Sequence, residues 1–401
     1  MRLILLQVLL ICVLCGIAIT SQAQEPEVKF NRKTSRNGLS QSFIRNITKD
    51  HKGFVWIGTS DGLNKYDGYT FKVYRSNPRV KGSLSTSVII TSYVDRQGVL
   101  YVGTDNGGLN IYNAEQDTFT VFMHNPKDPT SINSNRITSF FESKDGTFYI
   151  GTEDGGLEIF DRKARKFKRA FKIGGKQGLI SHVIRSINED KEGNLWVGTE
   201  NGITVVSKDR KRFTSYIKGN TLNTLSANAV RTIFVDSKNT VWIGTAFGGL
   251  CRFNRASNDF TTYKHETANP YSLLGDYVPK MCEDLNGKLW VATNFGISVY
   301  NKSSDLFDNY THDPFDVNSL LDNGLNTIYC DDEGIIWVGS IAGLSIKEST
   351  ASHFPKFSYI PGKPLSLGSK EVFSIYEDSK KRLWLGLRQG IDLFNRRERT
   401  F

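Results

Sequence analysis

Residues Asp50-His51-Lys52-Gly53-Phe54-Val55-Trp56-Ile57-Gly58-Thr59-Ser60-Asp61-Gly62-Leu63 decide the fold, because the same frame returns along the rest of the chain. Its aromatic recurs as Tyr101, Tyr149, Trp196, Trp242, Trp290, Trp337 and Trp384, at spacings of 45, 48, 47, 46, 48, 47 and 47 residues. A fixed period of about 20 to 50 residues is the mark of one supersecondary unit used as an array, in a solenoid or a propeller. Departures from the frame are few. Ser143 stands for the Asp in the third copy, Asn239 and Lys381 for the first Gly, and Ala292 for the second.

Around each frame lie strand-length runs rich in β-branched and aromatic residues, bounded by Gly, Asp and Asn. Ile44 to Ile47 precedes the Asp of the first copy; Leu109 to Tyr112 and Phe119 to Phe122 follow the Gly pair of the second. After residue 25 no stretch keeps a helical period over three turns. The unit is therefore four strands, a to d in chain order. Asp and Gly suit a tight a–b turn, and Gly-Thr with Gly-Leu makes the b–c hairpin. The aromatic on strand b is the largest apolar surface of the unit and should wedge against its neighbour. Strands this apolar need cover on both faces, and radial stacking into a β-propeller supplies it. The expected class is all-β.

Eight frames fit a seven-bladed ring of four-stranded antiparallel blades plus the first blade of a second ring, or a single eight-bladed ring. The N-terminus favours the first. Val28-Lys29-Phe30 reads as an orphan strand d, 20 residues ahead of Asp50, and Pro355-Lys356-Phe357 repeats it 21 residues ahead of Asp378. Val28 to Phe30 should close the seventh blade and remove a free sheet edge. The expected organisation is 1–23 signal peptide, 27–350 seven-bladed propeller and 351–401 the start of a second propeller.

Met1-Arg2, the apolar run from Leu3 to about Ile19 and Ser21-Gln22-Ala23 describe a secretory signal peptide cleaved after Ala23. An uncleaved anchor is the alternative, and Cys12 and Cys15 lack the small preceding residue of a lipoprotein site. The chain is thus expected in the periplasm, touching membrane only through the signal region or a segment further along the gene product. Cys251, Cys282 and Cys330 remain, an odd number without metal-ligand spacing, and read as buried reduced thiols. The net charge is +10. Basic residues gather at Arg162, Lys163, Arg165, Lys166, Lys168 and Arg169, and at Lys208, Arg210, Lys211 and Arg212. They either guard outer strand edges or draw a polyanion such as an acidic glycan. An exported chain has no use for nucleic acid.

Chemistry is hard to find. The six histidines, His51, His124, His182, His265, His312 and His353, are scattered, and no metalloprotease, nucleophile-elbow, P-loop or dinucleotide motif occurs. No catalytic residue, metal or cofactor is expected. A secreted propeller glycosidase or lyase built from convergent loop residues is the alternative. If the chain binds a ligand, the b–c hairpin tips share one face. Asp61, Asn106, Asp154 and Asn201 could hydrogen-bond hydroxyls there, and Phe247 and Phe295 could stack on a sugar; Asp and Asn also simply suit tight turns. Arg45, Arg185 and Arg231 share a position 11 residues ahead of the aromatic, on strands lining the axis.

The repeated Asp-x-x-Gly-x-x-Trp-x-Gly-Thr-x-x-Gly-Leu unit resembles the two-component regulator propeller repeat. So do the d–a loops Asn77-Pro78, Asn125-Pro126, Asp128-Pro129, Asn269-Pro270 and Asp313-Pro314, each followed by Ser-Leu or Ser-Ile. The Asp-x-x-Gly-x-x-Trp segment is also similar to the Asp-box turn of sialidase propellers, where it is structural. The resemblance implies the N-terminal part of a Bacteroidetes hybrid two-component sensor. In that family two seven-bladed propellers precede a three-tyrosine module, a membrane helix and a histidine kinase. It implies an oligosaccharide ligand, a homodimer in the full-length protein, control of glycan-utilisation genes, and no phosphotransfer by these residues.

Overall fold

The computed structural model describes residues 28–220, 224–348, 359, 364–396 and 400–401. The expected signal peptide and the second orphan strand around Phe357 lie outside the described residues. Two units are present, residues 1–349 and 350–401. Among the described residues no helix is long and apolar enough to cross a membrane.

The first unit holds seven four-stranded antiparallel sheets, each a meander in chain order except the last. Blade 1 is typical, with strands Ile44–Lys49, Val55–Thr59, Gly62–Tyr66 and Phe71–Tyr74. Strand a of each blade packs on that of the next, and Ile44–Lys49 touches both Ile89–Val94 of blade 2 and Leu325–Cys330 of blade 7. The ring therefore closes on seven, not eight.

Each part of the frame has a visible task. Asp50 Oδ1 accepts from the backbone N–H of Lys52 (2.9 Å) and Phe54 (3.0 Å), while Oδ2 accepts from the Trp56 indole at 2.7 Å. The same bond joins Asp95 to Tyr101 (3.1 Å), Asp190 to Trp196 (3.0 Å), Asp236 to Trp242 (3.0 Å) and Asp331 to Trp337 (3.0 Å). It also joins Asp284 to Trp290 (2.9 Å) and, in the second unit, Asp378 to Trp384 (3.1 Å). The aspartate thus satisfies the polar edge of an aromatic that is otherwise buried between blades. In copy three Tyr149 is buried and Ser143 Oγ instead donates to Glu189 of the next blade at 2.9 Å. The turn needs φ > 0 three residues after the Asp, and the two substitutes for Gly there, Asn239 and Lys381, adopt φ of 69° and 62°.

The second Gly of the frame is required by close approach. A Cβ on Gly58, Gly103, Gly151 or Gly198 would meet Ile89, Ile137, Ile184 or Val230 of the next blade at 2.6 to 2.7 Å. Blade 6 carries Ala292 at this place, and there the neighbour is Leu325, which shares its apolar cluster and branches one carbon further out. The Ser-Leu pairs of the d–a loops divide the work. Ser83 Oγ donates to Asn77 O at 2.8 Å and Ser319 Oγ to Asp313 O at 3.0 Å, while Leu84 and Leu320 fill the core between blades.

Two expectations need correction. The closing strand is Asn31–Lys33, paired antiparallel with Leu344–Lys347, so the ladder starts three residues later than Val28. Phe30 lies buried in the core between blades 6 and 7, and its N–H reaches Asn318 O at 2.7 Å as that of Phe119 reaches Gly82 O. It keeps the aromatic place of strand d while pairing begins just after it. Second, Cys282 and Cys330 are not reduced thiols but a disulfide, with Cα atoms 5.7 Å apart. They sit on the inner strands of adjacent blades, where the repeat brings residues 48 apart side by side. Cys251 is free and buried, as expected.

The second unit is a three-stranded antiparallel sheet, Val372–Glu377, Leu383–Leu387 and Gly390–Phe394. Its first strand is exposed along its whole length, with Phe373 70% exposed.

Candidate ligand-binding face

The seven b–c hairpins emerge on the rim where the d–a loops enter strand a, so one face carries both. In each hairpin the Thr or Ser after the second Gly position caps the turn. Thr59 Oγ1 donates to Gly62 O at 2.9 Å and accepts from Asp61 N–H at 3.1 Å, and Thr199 and Thr293 repeat both bonds. The caps fix the direction of the tip residues.

All six tip residues singled out from sequence stand on this rim, and their surroundings differ. Asp61 is engaged by Arg75 at 3.2 Å, with both side chains about half exposed. Asn106 is exposed at φ 59° and donates to Asp105 at 3.3 Å. Asp154 and Asn201 are exposed. Phe247 is 77% exposed and Phe295 56%, on neighbouring blades 5 and 6. Phe247 also has φ 63° and lies against Tyr277 of the following d–a loop, ring centres 5.7 Å apart. A large apolar side chain held out at positive φ is costly unless its position is used.

Tyr277 and the three arginines were the part sequence reading left unassembled. Arg185 forms ion pairs with Glu153 (2.5 Å) and Glu200 (2.9 Å), the tips of blades 3 and 4, and Arg231 reaches Glu200 at 3.4 Å and lies over the Tyr277 ring at 5.9 Å. Arg45 donates to Ser60 Oγ at 3.0 Å. These arginines ring the mouth of an axial cavity of about 520 Å³, within the range of small-ligand sites. Burial opposes the Arg185 charge, but hydrogen bonds to Glu153 and Glu200 prevail and raise its pKa.

The basic residues of blades 3 and 4 divide into two sets. Arg162 of blade 3 pairs with Asp95 of blade 2 and Glu142 of its own blade, each at 2.9 Å. Arg210 pairs with Glu189 of its own blade 4 at 3.3 Å while donating to Ser143 Oγ of blade 3 at 3.4 Å, so both link neighbouring blades. Arg165, Lys166, Lys168, Arg169, Lys208, Lys211 and Arg212 are exposed on or beside outer strands. Three histidines serve the d–a loops: Nδ1 of His124, His265 and His312 bonds the carbonyl of Ile132 (2.8 Å), Leu273 (3.1 Å) and Leu320 (2.7 Å).

Comparison with known proteins identifies the repeat in five of the eight frames. The profile of the two component regulator propeller matches residues 38–61, 131–154, 178–201, 224–247 and 366–389. The chain carries two-component regulator propeller repeats. The extracellular domain of a hybrid two-component system from B. thetaiotaomicron is similar, with a TM-score of 0.71 and 26% identity over 94% of this chain and 54% of that one. A segment of 69 residues, 17% of this chain, is 48% identical to 5% of histidine kinase P4 of Formosa agariphila. Virginiamycin B lyase from Staphylococcus aureus, at 14% identity and a TM-score of 0.58 over 80% of this chain and 99% of that one, shares the fold alone. The chain therefore spans about half the length of the solved two-component relative.

Proposed function

We propose that this chain is the exported, ligand-sensing propeller region of a hybrid two-component signalling protein, and that its b–c hairpin face recognises an oligosaccharide. The carrying observation is the likeness, across 94% of the chain, to an extracellular domain of such a system. The hairpin face supplies the chemistry. Phe247 and Phe295 offer exposed rings for the apolar face of a sugar, and Asp61, Asn106, Asp154 and Asn201 offer acceptors and donors for hydroxyls. Phosphotransfer, and control of glycan-utilisation genes, would belong to the longer protein, acting as a homodimer in which ligand shifts the packing of two rigid rings.

We infer further that residues 351–401 open a second propeller, because a sheet exposing Phe373, Ile375 and Tyr376 on its first strand has the surface a neighbouring blade would cover. Calorimetric titration with a panel of neutral and acidic oligosaccharides tests the binding reading, with Phe247→Ala and Phe295→Ala as probes. Binding of one class, weakened about tenfold by either change, is expected, since an anchoring aromatic carries more than about 1 kcal/mol. Absence of binding across the panel, or depolymerisation of a glycan by the purified chain, would overturn it.

A further inference from the structure

The axial cavity contains a cation that the fold does not use. Ten residues ahead of each aromatic the ring carries Asn46, Thr91, Ser139, Ser186, Thr232 and Thr327, all uncharged, and in blade 6 Lys280. The small residues have a structural reason to be there. They lie over the close-packed Gly of their own strand b, as Thr232 Cγ2 does at Gly244 and Thr327 Cγ2 at Gly339, each 2.7 Å from where a Cβ would stand. A lysine serves no such purpose.

Lys280 lines the cavity with an exposed side chain, in a channel walled by residues of all seven blades. Its ammonium meets no carboxylate or hydrogen-bond partner among the described residues. The blades crowded around the channel lower its pKa by desolvation, although the side chain is open to the channel.

The rest of the wall has spare capacity of the same sign. Arg45 donates to the neutral Ser60 hydroxyl and lies over the Phe43 ring at 5.0 Å, with no carboxylate partner among the described residues. Buried polar atoms without a partner among the described residues include Arg231 Nε and Ser139 Oγ, and both residues line this cavity. Glu283, the carboxylate on the cavity wall, is turned to Ser237, whose N–H and Oγ both donate to it at 2.7 Å.

We propose that the axial cavity is an oxyanion site, in which Lys280 is the counter-ion of one carboxylate, sulfate or phosphate group entering past Arg45 and Arg231. The chemistry is shared by an inorganic ion and by the acid group of a sugar. In the second case it deepens the sensor reading above, on which that part rests, by making the ligand an acidic saccharide whose charged group enters the channel.

The test measures binding of sodium sulfate, sodium phosphate, glucuronate and uncharged glucose to the chain at low ionic strength, by calorimetry and thermal shift. Wild type, Lys280→Met and Lys280→Arg are compared. At least one oxyanion should bind wild type and raise its unfolding temperature, and glucose should not compete for the site. Lys280→Met should lose at least about tenfold in affinity, since hydrogen bonds to charged groups are the strong ones, and Lys280→Arg should retain most of it. Without anion, Lys280→Met should unfold within about 2 °C of wild type, which shows that it folds. Glucuronate binding tighter than sulfate identifies a sugar acid as the source; sulfate or phosphate binding tighter identifies an inorganic ion. Equal responses of wild type and Lys280→Met to every oxyanion, or no response from either, would overturn the site. Neither depends on whether an oligosaccharide binds the hairpin face, so the two readings fail separately.

Discussion

Breaking the Cys282–Cys330 bond should cost the ring about 4 kcal/mol. The bond closes a loop of 48 residues between the inner strands of blades 6 and 7. With loop-closure entropy of about −2.1 − 1.5R ln n, that length gives about 4 kcal/mol at 25 °C, acting mostly on the unfolded chain. Unfolding entropy of about 2.1 cal/mol/K per residue over about 320 residues converts this to a fall in Tm of about 6 °C. Differential scanning calorimetry of oxidised wild type, wild type with dithiothreitol, and the Cys282→Ala/Cys330→Ala variant measures it. The reductant matters, because both cysteines pack in the core between blades 6 and 7 and alanine also removes apolar contacts. Reduced wild type isolates the cross-link, and the variant should fall slightly further. If oxidised and reduced wild type unfold within about 1 °C of each other, the unfolded-chain argument is wrong for this ring. Protein made without residues 1–23 in a reducing cytosol should carry three free thiols, and exported, cleaved protein one.

Gly198→Ala should destabilise by about 1 to 3 kcal/mol in urea, because its Cβ would stand 2.7 Å from Val230 Cγ1; Ala292→Gly, at the tolerant seam, should cost less than about 1 kcal/mol. Arg32 donates to Asp316 O (2.8 Å), Ser319 O (3.0 Å), Ser319 Oγ (2.8 Å) and Leu320 O (3.0 Å), so Arg32→Ala should cost at least about 2 kcal/mol and speed amide exchange along Leu344–Lys347. Glu158 is fully buried with Oε2 unpartnered among the described residues, and burial raises its pKa. A raised folded pKa means stability is lost as pH climbs from the unfolded to the folded value, so Glu158→Gln should stabilise by about 1 to 3 kcal/mol at pH 7. That gain should vanish in acid, where Glu158 is protonated in both states. Asn64 and Asn110 hold the matching places in blades 1 and 2, each accepting a backbone N–H of its d–a loop as Glu158 does from Asn133, so an amide fits.

What repeats was legible from sequence, because eight copies of one frame average out the noise of any single one. The a–b turns, the buried aromatics, the close-packed glycines and the seven-plus-one count all follow from that register. What is particular to one blade was not. The partner of the Trp56 indole is in the frame, six residues back, yet only geometry shows that the Asp carboxylate bonds both the turn and the ring. Lys280 carried a faint signal, a charge in a column of small uncharged residues, but blade 6 strand a is short and begins after Pro279, which hid its alignment. The Phe247–Tyr277 contact depends on a loop meeting the preceding hairpin, a distance that no periodicity encodes.

The seams between blades show why those particulars matter. Near the end of strand a, blade 3 sends Glu142 to the backbone N–H of Arg96 in the blade 2 turn at 2.9 Å, and blade 4 sends Glu189 to that of Lys144 in blade 3 at 2.8 Å. Blade 6 sends Glu283 to Ser237 of blade 5 at 2.7 Å. At the seam between blades 7 and 1 the chemistry is inverted. Lys49 of blade 1 reaches Asp332 at 2.9 Å and Glu333 at 2.8 Å in the blade 7 turn. Burial opposes its charge, yet these bonds and the nearby Asp331 raise its pKa. The seam between blades 6 and 7 is covalent. These devices, with Arg32 and the closing strand, concentrate on the blades where the two ends of the ring must meet. Every other seam joins neighbours in sequence and closes a short loop; ring closure must pair residues near 31 with residues near 346 inside blade 7 and pack Ile44–Lys49 on Leu325–Cys330, the longest loops in the ring and the most expensive in chain entropy. A ring that opens should therefore open between blades 7 and 1, with blade 7 still tethered to blade 6 by its disulfide.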